Sequence, residues 1–484
     1  MRAELVLAVV LALGCGPMRI LTRPEGDGGW SADRRATELS TRADAARVDL
    51  AGASPEPTDD LTKPLDVEDV VRLATLESRR VVEADRDVDI ARERVIETRG
   101  RYFPTFTGQG RYTWYTDPQV TQVSLAPGLL PAGTVPPVVV VREKQFGTAN
   151  GTASVPIDLF GEITKNLTAA QAGYRAEEAR RWSTVLGEQV AAVRGYFAVL
   201  EAESLRVVTE QRVAAQRQQL ANAQSKFDAG RLTKNELLVV QVALRNTEQE
   251  LRQRDLEIAR ARWALNQVVG RPVDAPTRLV DVSAPPTVPA PADALRDAYA
   301  HNPVLQALVE EQQRLEDTVS AIVRTRFPSV QAGGAIDYTS QDVLQPQRVE
   351  SGFVGLSWTF DTGGRKTAEI EQVRLAAEQN RTRVERSLRD IEASVRTAQL
   401  AATERLAALS TAETAVRQAE ENLQIRNQQF DVGRATSEDV LDAQALLALQ
   451  RAALATALYE AHTRRAELQE LMGLPLDGTP ASPR

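Results

Sequence analysis

Polar and apolar residues alternate with a period of two in four short segments of the chain. In the first segment Phe106, Tyr112 and Trp114 alternate with polar residues such as Thr107 and Arg111. Alternation of this kind predicts β-strands that have one apolar face and one polar face. An aromatic residue near a strand end is typical of membrane-barrel strands, whose apolar side faces lipid and whose polar side faces the lumen. The predicted strands lie at about 104–115, 148–158, 328–339 and 352–361.

These strands leave two interpretations open. A soluble hairpin packed on a helix would show the same alternation. For a membrane protein the number of strands is decisive, because about eight strands are the practical minimum for a closed barrel. An open sheet edge is not tolerated in lipid, since its backbone groups would have no hydrogen-bond partners. If the strands enter a membrane, the protein must therefore be an oligomer.

Long helices are predicted on either side of the strands. Segments 162–227 and 365–430 contain no proline and have 66 residues each, which corresponds to a helix of about 100 Å. Segments 66–100 and 234–268 are predicted helices of 35 residues each. Stacked end to end, these two match the length of one long helix. The chain is therefore expected to form straight antiparallel helix pairs.

The two halves of the chain are similar when the sequence is shifted by 203 residues. The segment 227–231, Phe-Asp-Ala-Gly-Arg, recurs at 430–434 as Phe-Asp-Val-Gly-Arg. These and further ungapped matches indicate an internal duplication. Copy one is expected at 65–270 and copy two at 291–476, joined by a proline-rich linker at 271–290. Copy one has 21 extra residues, within 117–143, and this insertion is expected outside the barrel, on the cell surface.

The N-terminus has the pattern of an export signal. Arg2 precedes an apolar run at 5–13 that is too short to span a bilayer, so residues 1–15 are predicted to be a signal peptide. The run ends at Leu-Gly-Cys, and Cys15 is the predicted lipidation site; an ordinary signal with an incidental thiol is the alternative. Residues 16–64 are expected to be a flexible tether and residues 477–484 a C-terminal tail.

Composition and charge exclude several functions. The formal net charge of −8 is spread along the chain without a basic stripe, so no nucleic-acid partner is expected. Two histidines and one cysteine leave no basis for most histidine or thiol metal sites. The sequence contains no phosphate-binding glycine loop, nucleophile elbow or His-Glu-x-x-His motif. We therefore predict neither catalytic residues nor a cofactor.

The order of several landmarks resembles the TolC family of outer membrane efflux proteins, over about residues 65–476. The landmarks are Phe-Pro before the first strand of each copy, Val-Pro-Ile-Asp-Leu-Phe-Gly at 155–161, Phe-Asp-x-Gly-Arg at both helical turns, and Asn302-Pro303. The resemblance implies a mainly α protein with a small membrane β-barrel portion. Its duplicated long-helix hairpins would form a trimeric α-barrel tube, continuous with a 12-stranded β-barrel to which each chain contributes four strands.

The resemblance also implies a location and partners. The homotrimer would lie in the outer membrane of a Gram-negative bacterium, in contact with its lipid, and extend into the periplasm. A periplasmic adaptor and an inner-membrane pump would engage its lower end, and the channel itself would catalyse nothing. Small-molecule or drug efflux is the first expectation, with heavy-metal efflux and type I protein secretion as alternatives. A lipid-anchored coiled-coil rod is the alternative from another class, but it does not explain the strands.

By the same resemblance, Asp439 and Asp442 match two aspartates that ring the pore constriction. Asp439 also follows Thr436 by three residues, as in a helix-capping box, and capping alone is therefore an alternative role for it. Adaptor contact and turn formation are the roles implied for a further set. This set comprises Gly230, Arg231 and Leu232 in copy one, and Gly433 and Arg434 in copy two. The family often has an arginine where Ala435 stands here, and Arg434 is the expected substitute.

Overall fold

The computed structural model describes residues 63–122 and 138–476. The predicted signal peptide, Cys15, nearly all of the tether, the C-terminal tail and the middle of the insertion lie outside the described residues. Copy one contains α1 Val67–Glu77, α2 Arg79–Gly100, β1 Thr105–Trp114, β2 Gln119–Gln122, β3 Val138–Arg142, β4 Gln145–Ile157, α3 Glu162–Asp228 and α4 Lys234–Val268. Copy two contains α5 Pro291–His301, α6 Pro303–Arg324, β5 Ser329–Thr339, β6 Arg348–Ser357, α7 Arg365–Asp431 and α8 Ser437–Leu471.

The two long helices form as predicted. Helices α3 and α7 have 67 residues each, one more than the sequence pattern indicated. The shorter helices α2 and α4 both pack on the long helix α3, and α6 and α8 pack on it as well. The other long helix, α7, contacts α6 and α8. The stacking inferred from helix lengths is therefore confirmed.

The predicted helix 66–100 is not continuous. It is broken at Ser78, where the backbone is extended and the Oγ atom accepts a hydrogen bond from the Val81 N–H. Copy two has the same break at Asn302, whose Oδ1 atom accepts from the Leu305 N–H. Pro303 explains the second break, because proline lacks an N–H and disfavours helical backbone in the residue before it. Ser78 and Asn302 are equivalent when copy one is shifted by 224 residues, since 302 − 78 = 224.

Four strands form one antiparallel sheet in the order β1-β4-β5-β6. Across the sheet, Phe106 lies opposite Ala153, Ala153 opposite Gly334, and Gly334 opposite Gly352. This register places the apolar or small alternate residues of all four strands on one face and most of the polar ones on the other. The alternation predicted from the sequence is therefore confirmed as a property of the whole sheet.

Two details of the strands differ from the prediction. β6 runs from Arg348 to Ser357, so Trp358 and Phe360 lie beyond the strand in which they were expected. The insertion also contains a second antiparallel pair, β2 and β3, that was not predicted. The four consecutive valines of β3, 138–141, are all exposed.

The segment between the two copies packs across the middle of the helices. Tyr196 donates a hydrogen bond to the Val280 carbonyl, and Tyr459 donates to the Asp281 carboxylate at 3.0 Å. His462 Nε2 lies 2.9 Å from the Ala284 carbonyl oxygen. Burial lowers the pKa of His462 and is the dominant effect. The largest apolar cluster, which contains Tyr196 and Tyr459, lies at the same level and fixes this segment in place.

None of the helices in the described ranges is both long and apolar enough to cross a membrane.

Candidate pore and docking site

Each long helix ends in a tight turn of the same construction. In copy one, Gly230 has φ +70°, a conformation that a side chain disfavours. The Gly230 N–H donates to the Phe227 carbonyl at 2.9 Å, and the Arg231 N–H donates to the Lys226 carbonyl at 2.8 Å. These two bonds satisfy carbonyls that have no partner within the helix.

The turn of copy two repeats this pattern. Gly433 has φ +72° and donates to the Phe430 carbonyl at 3.2 Å, while the Arg434 N–H donates to the Gln429 carbonyl at 2.8 Å. A Cβ atom built on either glycine would meet nothing within 4 Å, so no steric obstacle excludes a side chain there. Backbone conformation alone therefore requires glycine at both turns.

A capping box begins the helix after each turn. In copy two, Asp439 Oδ2 accepts from both the N–H and the hydroxyl of Thr436, each at 2.8 Å, and the Asp439 N–H donates back to the hydroxyl at 3.2 Å. The backbone hydrogen bond from Thr436 is the main cause that lowers the pKa of Asp439, and the Arg426 guanidinium adds to it from 3.9 Å. The capping box considered for Thr436 and Asp439 is therefore present in the structure.

Asp442 is placed differently from Asp439, although the two are three residues apart on α8 and so lie on neighbouring positions of one face. Its side chain is exposed, and it makes no hydrogen bond or ion pair with any residue in the described ranges. At the equivalent place copy one has Val239. No structural role among the described residues accounts for this carboxylate.

The other predicted residues divide into exposed charges and a packing residue. Arg231 and Arg434 are exposed, one at each turn. Leu232 is half-buried and packs against a small apolar cluster that includes Leu237 and Leu441. Because this cluster contains residues from α3, α4 and α8, it joins the two turns into one tip. Leu232 therefore has a packing role that the sequence did not predict.

A further contact joins the turns, and the sequence did not indicate it. The Lys226 ammonium donates to the Phe430 carbonyl at 2.7 Å and lies 3.5 Å from the centre of the Phe430 ring. It also lies 3.7 Å from the Asp431 carboxylate. One signal was available: copy one has lysine here, whereas the equivalent residue of copy two is Gln429.

In the part of the chain that the structure describes, no three His, Cys, Asp or Glu side chains are grouped so that they could hold a metal ion. The candidate site consists of two helical turns with three exposed charged residues, Arg231, Arg434 and Asp442, and the half-buried Asp439.

Comparison with protein families identifies the architecture. The family model described as outer membrane efflux protein matches residues 70–271 and 294–474. This chain belongs to the outer membrane efflux protein family. Membership locates this efflux protein in the outer membrane and confirms both the resemblance and the mainly helical, duplicated fold expected from the sequence.

Solved structures show the same fold at low sequence identity. CusC has a TM-score of 0.72 and 17% identity, with 84% of this chain and 92% of CusC covered. For VceC of Vibrio cholerae the TM-score is 0.70 at 16% identity, with coverage of 84% and 96%. The open state of the MtrE outer membrane channel of Neisseria gonorrhoeae gives 0.66 and 17%, with coverage of 84% and 89%. No curated protein matches the efflux protein in sequence.

Proposed function

We propose that this efflux protein is the outer membrane channel of a tripartite export system. Three chains form a passive duct that extends through the periplasm, and an inner-membrane pump drives export through a periplasmic adaptor. The cargo is proposed to be small molecules such as drugs, which agrees with membership of an efflux family. The observation that carries the proposal is an open four-stranded sheet with one apolar face.

The sheet of a single chain cannot enter lipid. Within the described residues β1 and β6 are its outer strands, so each has a row of backbone groups without a strand partner. On the apolar face Phe106 and Val354, near these two edges, are 79% and 77% exposed. Three copies would pair β6 of one chain with β1 of the next and would close twelve strands, which exceeds the minimum of about eight. Closure would satisfy the edges and place the apolar face against lipid.

The helices have matching edges. In the group formed by α2, α3, α6 and α7, α2 and α7 are the outer helices, because α3 and α6 pack between them. Ile90 and Ile96 on α2 are 51% and 53% exposed, and Leu375 and Leu400 on α7 are 56% and 68% exposed. Isolated apolar residues on a surface need no explanation, but exposed apolar residues on both outer helices fit an interface with the next chain. The helices would then close into a tube below the barrel.

The lower tip is the proposed docking and pore site. Three chains would place six carboxylates, from Asp439 and Asp442, around the end of the tube, and such a ring favours cations. Arg231 and Arg434 are exposed at the same tip, and with Leu232 they are the proposed contacts of the adaptor. The exposure of Arg231 and Arg434 supports the proposal.

Two measurements on the purified full-length protein test this proposal. Light scattering in detergent should give the mass of three chains, and planar lipid bilayers should show stepwise conductance after the protein is added. A lipid-anchored rod would give no conductance. A heat-unfolded sample of the same preparation controls for detergent effects. A monodisperse monomer that stays soluble without detergent would contradict the proposal.

A further inference from the structure

The hairpin formed by β2 and β3 exposes apolar side chains on both of its faces. The four valines of β3, residues 138–141, are between 37% and 53% exposed, and Val120 of β2 is 51% exposed. Successive side chains of a strand point to opposite faces, so a run of valines makes both faces apolar. A strand of this composition is normally covered on both sides, and a two-stranded hairpin is only marginally stable by itself in water. The hairpin therefore needs a partner.

Lipid does not supply this partner, because the hairpin lies beyond the end of the proposed lipid-facing surface. On the apolar face of the four-stranded sheet, Tyr112, Trp114 and Tyr338 lie at the end nearest the hairpin. In membrane barrels a row of aromatic residues marks the boundary between lipid and water. Charged residues follow beyond this row, at Asp117 before β2 and at 142–144, Arg-Glu-Lys, after the valines. The valines of the hairpin are therefore on the aqueous side of the boundary.

A second exposed apolar patch lies at the same level, on the loop between β5 and β6, residues 340–347. The Asp342 N–H donates to the Glu143 carboxylate at 2.7 Å, which ties this loop to the base of the hairpin in its own chain. Val343 and Leu344 of the loop are nevertheless 41% and 49% exposed. The hairpin of the same chain therefore leaves this patch uncovered.

Closure of the barrel brings the loop of one chain to the hairpin of the next. β1 and β6 are the outer strands of the sheet, and antiparallel pairing of β6 with β1 of the next chain places the start of β6 beside the end of β1. The loop 340–347 leads directly into β6, and β2 follows β1 after the short segment 115–118. Val343 and Leu344 of one chain then lie next to Val120 of its neighbour.

We propose that the β2–β3 hairpin of each chain docks on the β5–β6 loop of the neighbouring chain, and that the three contacts form an apolar collar above the membrane part of the barrel. The inference rests on the proposed function, because only a closed trimer brings the two parts together. Each chain supplies one hairpin and one loop, so the contact is head-to-tail and closes into a ring. Removal of the valines and of the loop side chains from water stabilises the contact.

The test is cross-linking between two differently tagged chains that are expressed together, one with Val120→Cys and the other with Leu344→Cys. A short bismaleimide reagent added to the purified trimer should join the two tags in one dimer band. This band should be at least about tenfold stronger than that of the control pair, because thiols held side by side have a high effective concentration. The control pair uses Leu159→Cys in place of Leu344→Cys. Leu159 is 66% exposed but follows β4 at the opposite end of the sheet.

Further samples make each outcome decisive. Each substituted chain expressed alone controls for the natural thiol of Cys15, and Val343→Cys offers a second position on the same loop. Equally weak bands in the test pairs and the control pair would overturn the proposal while leaving the trimer intact. Cross-linking of Val120→Cys to itself would also overturn it, because the three hairpins would then contact one another instead of the loops. A wild-type protein that is monomeric by light scattering would instead reject the proposed function.

Discussion

The Asp317 carboxylate of α6 lies 2.6 Å from the Lys165 ammonium of α3, so an ion pair joins copy two of the duplication to copy one. The Asp317 side chain is 6% exposed, and Lys165 is 32% exposed. The other carboxylate oxygen accepts from Gln313 at 3.0 Å. A buried charge of this kind is tolerated because its hydrogen-bonding capacity is filled.

Removal of this carboxylate should destabilise the protein. Asp317→Ala leaves the Lys165 ammonium partly buried without its partner, and we expect a loss of about 2–3 kcal/mol, less than the value for a fully buried pair. Denaturant unfolding followed by helical circular dichroism measures this loss. Glu316→Ala is the control, because Glu316 is exposed on the same helix, and its loss should be small. Equal losses of stability in the two variants would contradict a stabilising role for the Asp317–Lys165 ion pair.

The same pair predicts a dependence of stability on pH. Burial on its own would raise the pKa of Asp317, but hydrogen bonds from Lys165, Gln313 and Thr168 outweigh it, and the net pKa is lowered. A lowered carboxyl pKa contributes stability above the unfolded value, near 4, that is lost as the pH falls through the folded value. The difference in unfolding free energy between wild type and Asp317→Asn should therefore shrink between about pH 5 and pH 2. A difference that stays constant over this range would exclude the pair as its source.

Capping and pore roles at the tip can be separated by two substitutions. Thr436→Ala removes the cap of α8 but keeps both aspartates, so it should cost about 1 kcal/mol of stability and leave ion selectivity unchanged. Asp442→Ala removes an exposed carboxylate without partners in the described residues, so it should leave stability unchanged and reduce the preference for cations. Thermal unfolding and the reversal potential under a salt gradient measure the two effects. If Asp442→Ala left the reversal potential unchanged, Asp442 would have no place in the pore.

Much of the fold could be predicted because two features of the sequence act over long distances. The period-two alternation fixed which face of each strand is apolar, and Phe106 and Val354 lie on one face of the sheet as expected. The 203-residue shift located both glycine turns. The break at Ser78 was missed because it depends on one local hydrogen bond rather than on a pattern, although its equivalence to Asn302-Pro303 was a readable signal.

The candidate site was predicted less completely than the fold. The capping box of Thr436 and Asp439 is a local motif, and it forms as its spacing indicated. The contact of Lys226 with Phe430 joins residues 204 positions apart, and no sequence pattern encodes such a pairing. The β3 strand was also missed, because its four valines lie beside a proline-rich stretch that obscures alternation.

The two faces of the sheet should respond differently to a new charge. Val354 is 77% exposed on the apolar face, and Val354→Arg should oppose membrane insertion by about 2–4 kcal/mol if the residue lies near the bilayer centre. Ser351 is on the same strand and pairs with Ala335 of β5. Its side chain lies on the polar face of the sheet, so Ser351→Arg should be tolerated. Recovery of trimer from the outer membrane fraction compares the two variants. Equal recovery would show that the apolar face does not contact lipid.

The last prediction compares two glycines that share a backbone conformation but differ in surroundings. Gly433 has φ +72° and Gly473 has φ +73°, so alanine should cost about 1–2 kcal/mol at either position through backbone strain. At Gly433 a Cβ atom would meet nothing within 4 Å. At Gly473 it would lie 2.1 Å from the His301 carbonyl oxygen and 2.5 Å from the carbonyl carbon.

Because the obstacle at Gly473 is backbone at the end of α5, it cannot rotate away as a side chain would. Nearby, the Asn302 side chain donates to the Leu471 carbonyl at 2.9 Å, which holds the end of α8 against the break between α5 and α6. Gly473→Ala should therefore destabilise the protein by at least about 2 kcal/mol more than Gly433→Ala. Thermal unfolding of the two variants measures the difference directly. Equal losses would mean that this end of α8 does not approach the break as closely as the geometry requires.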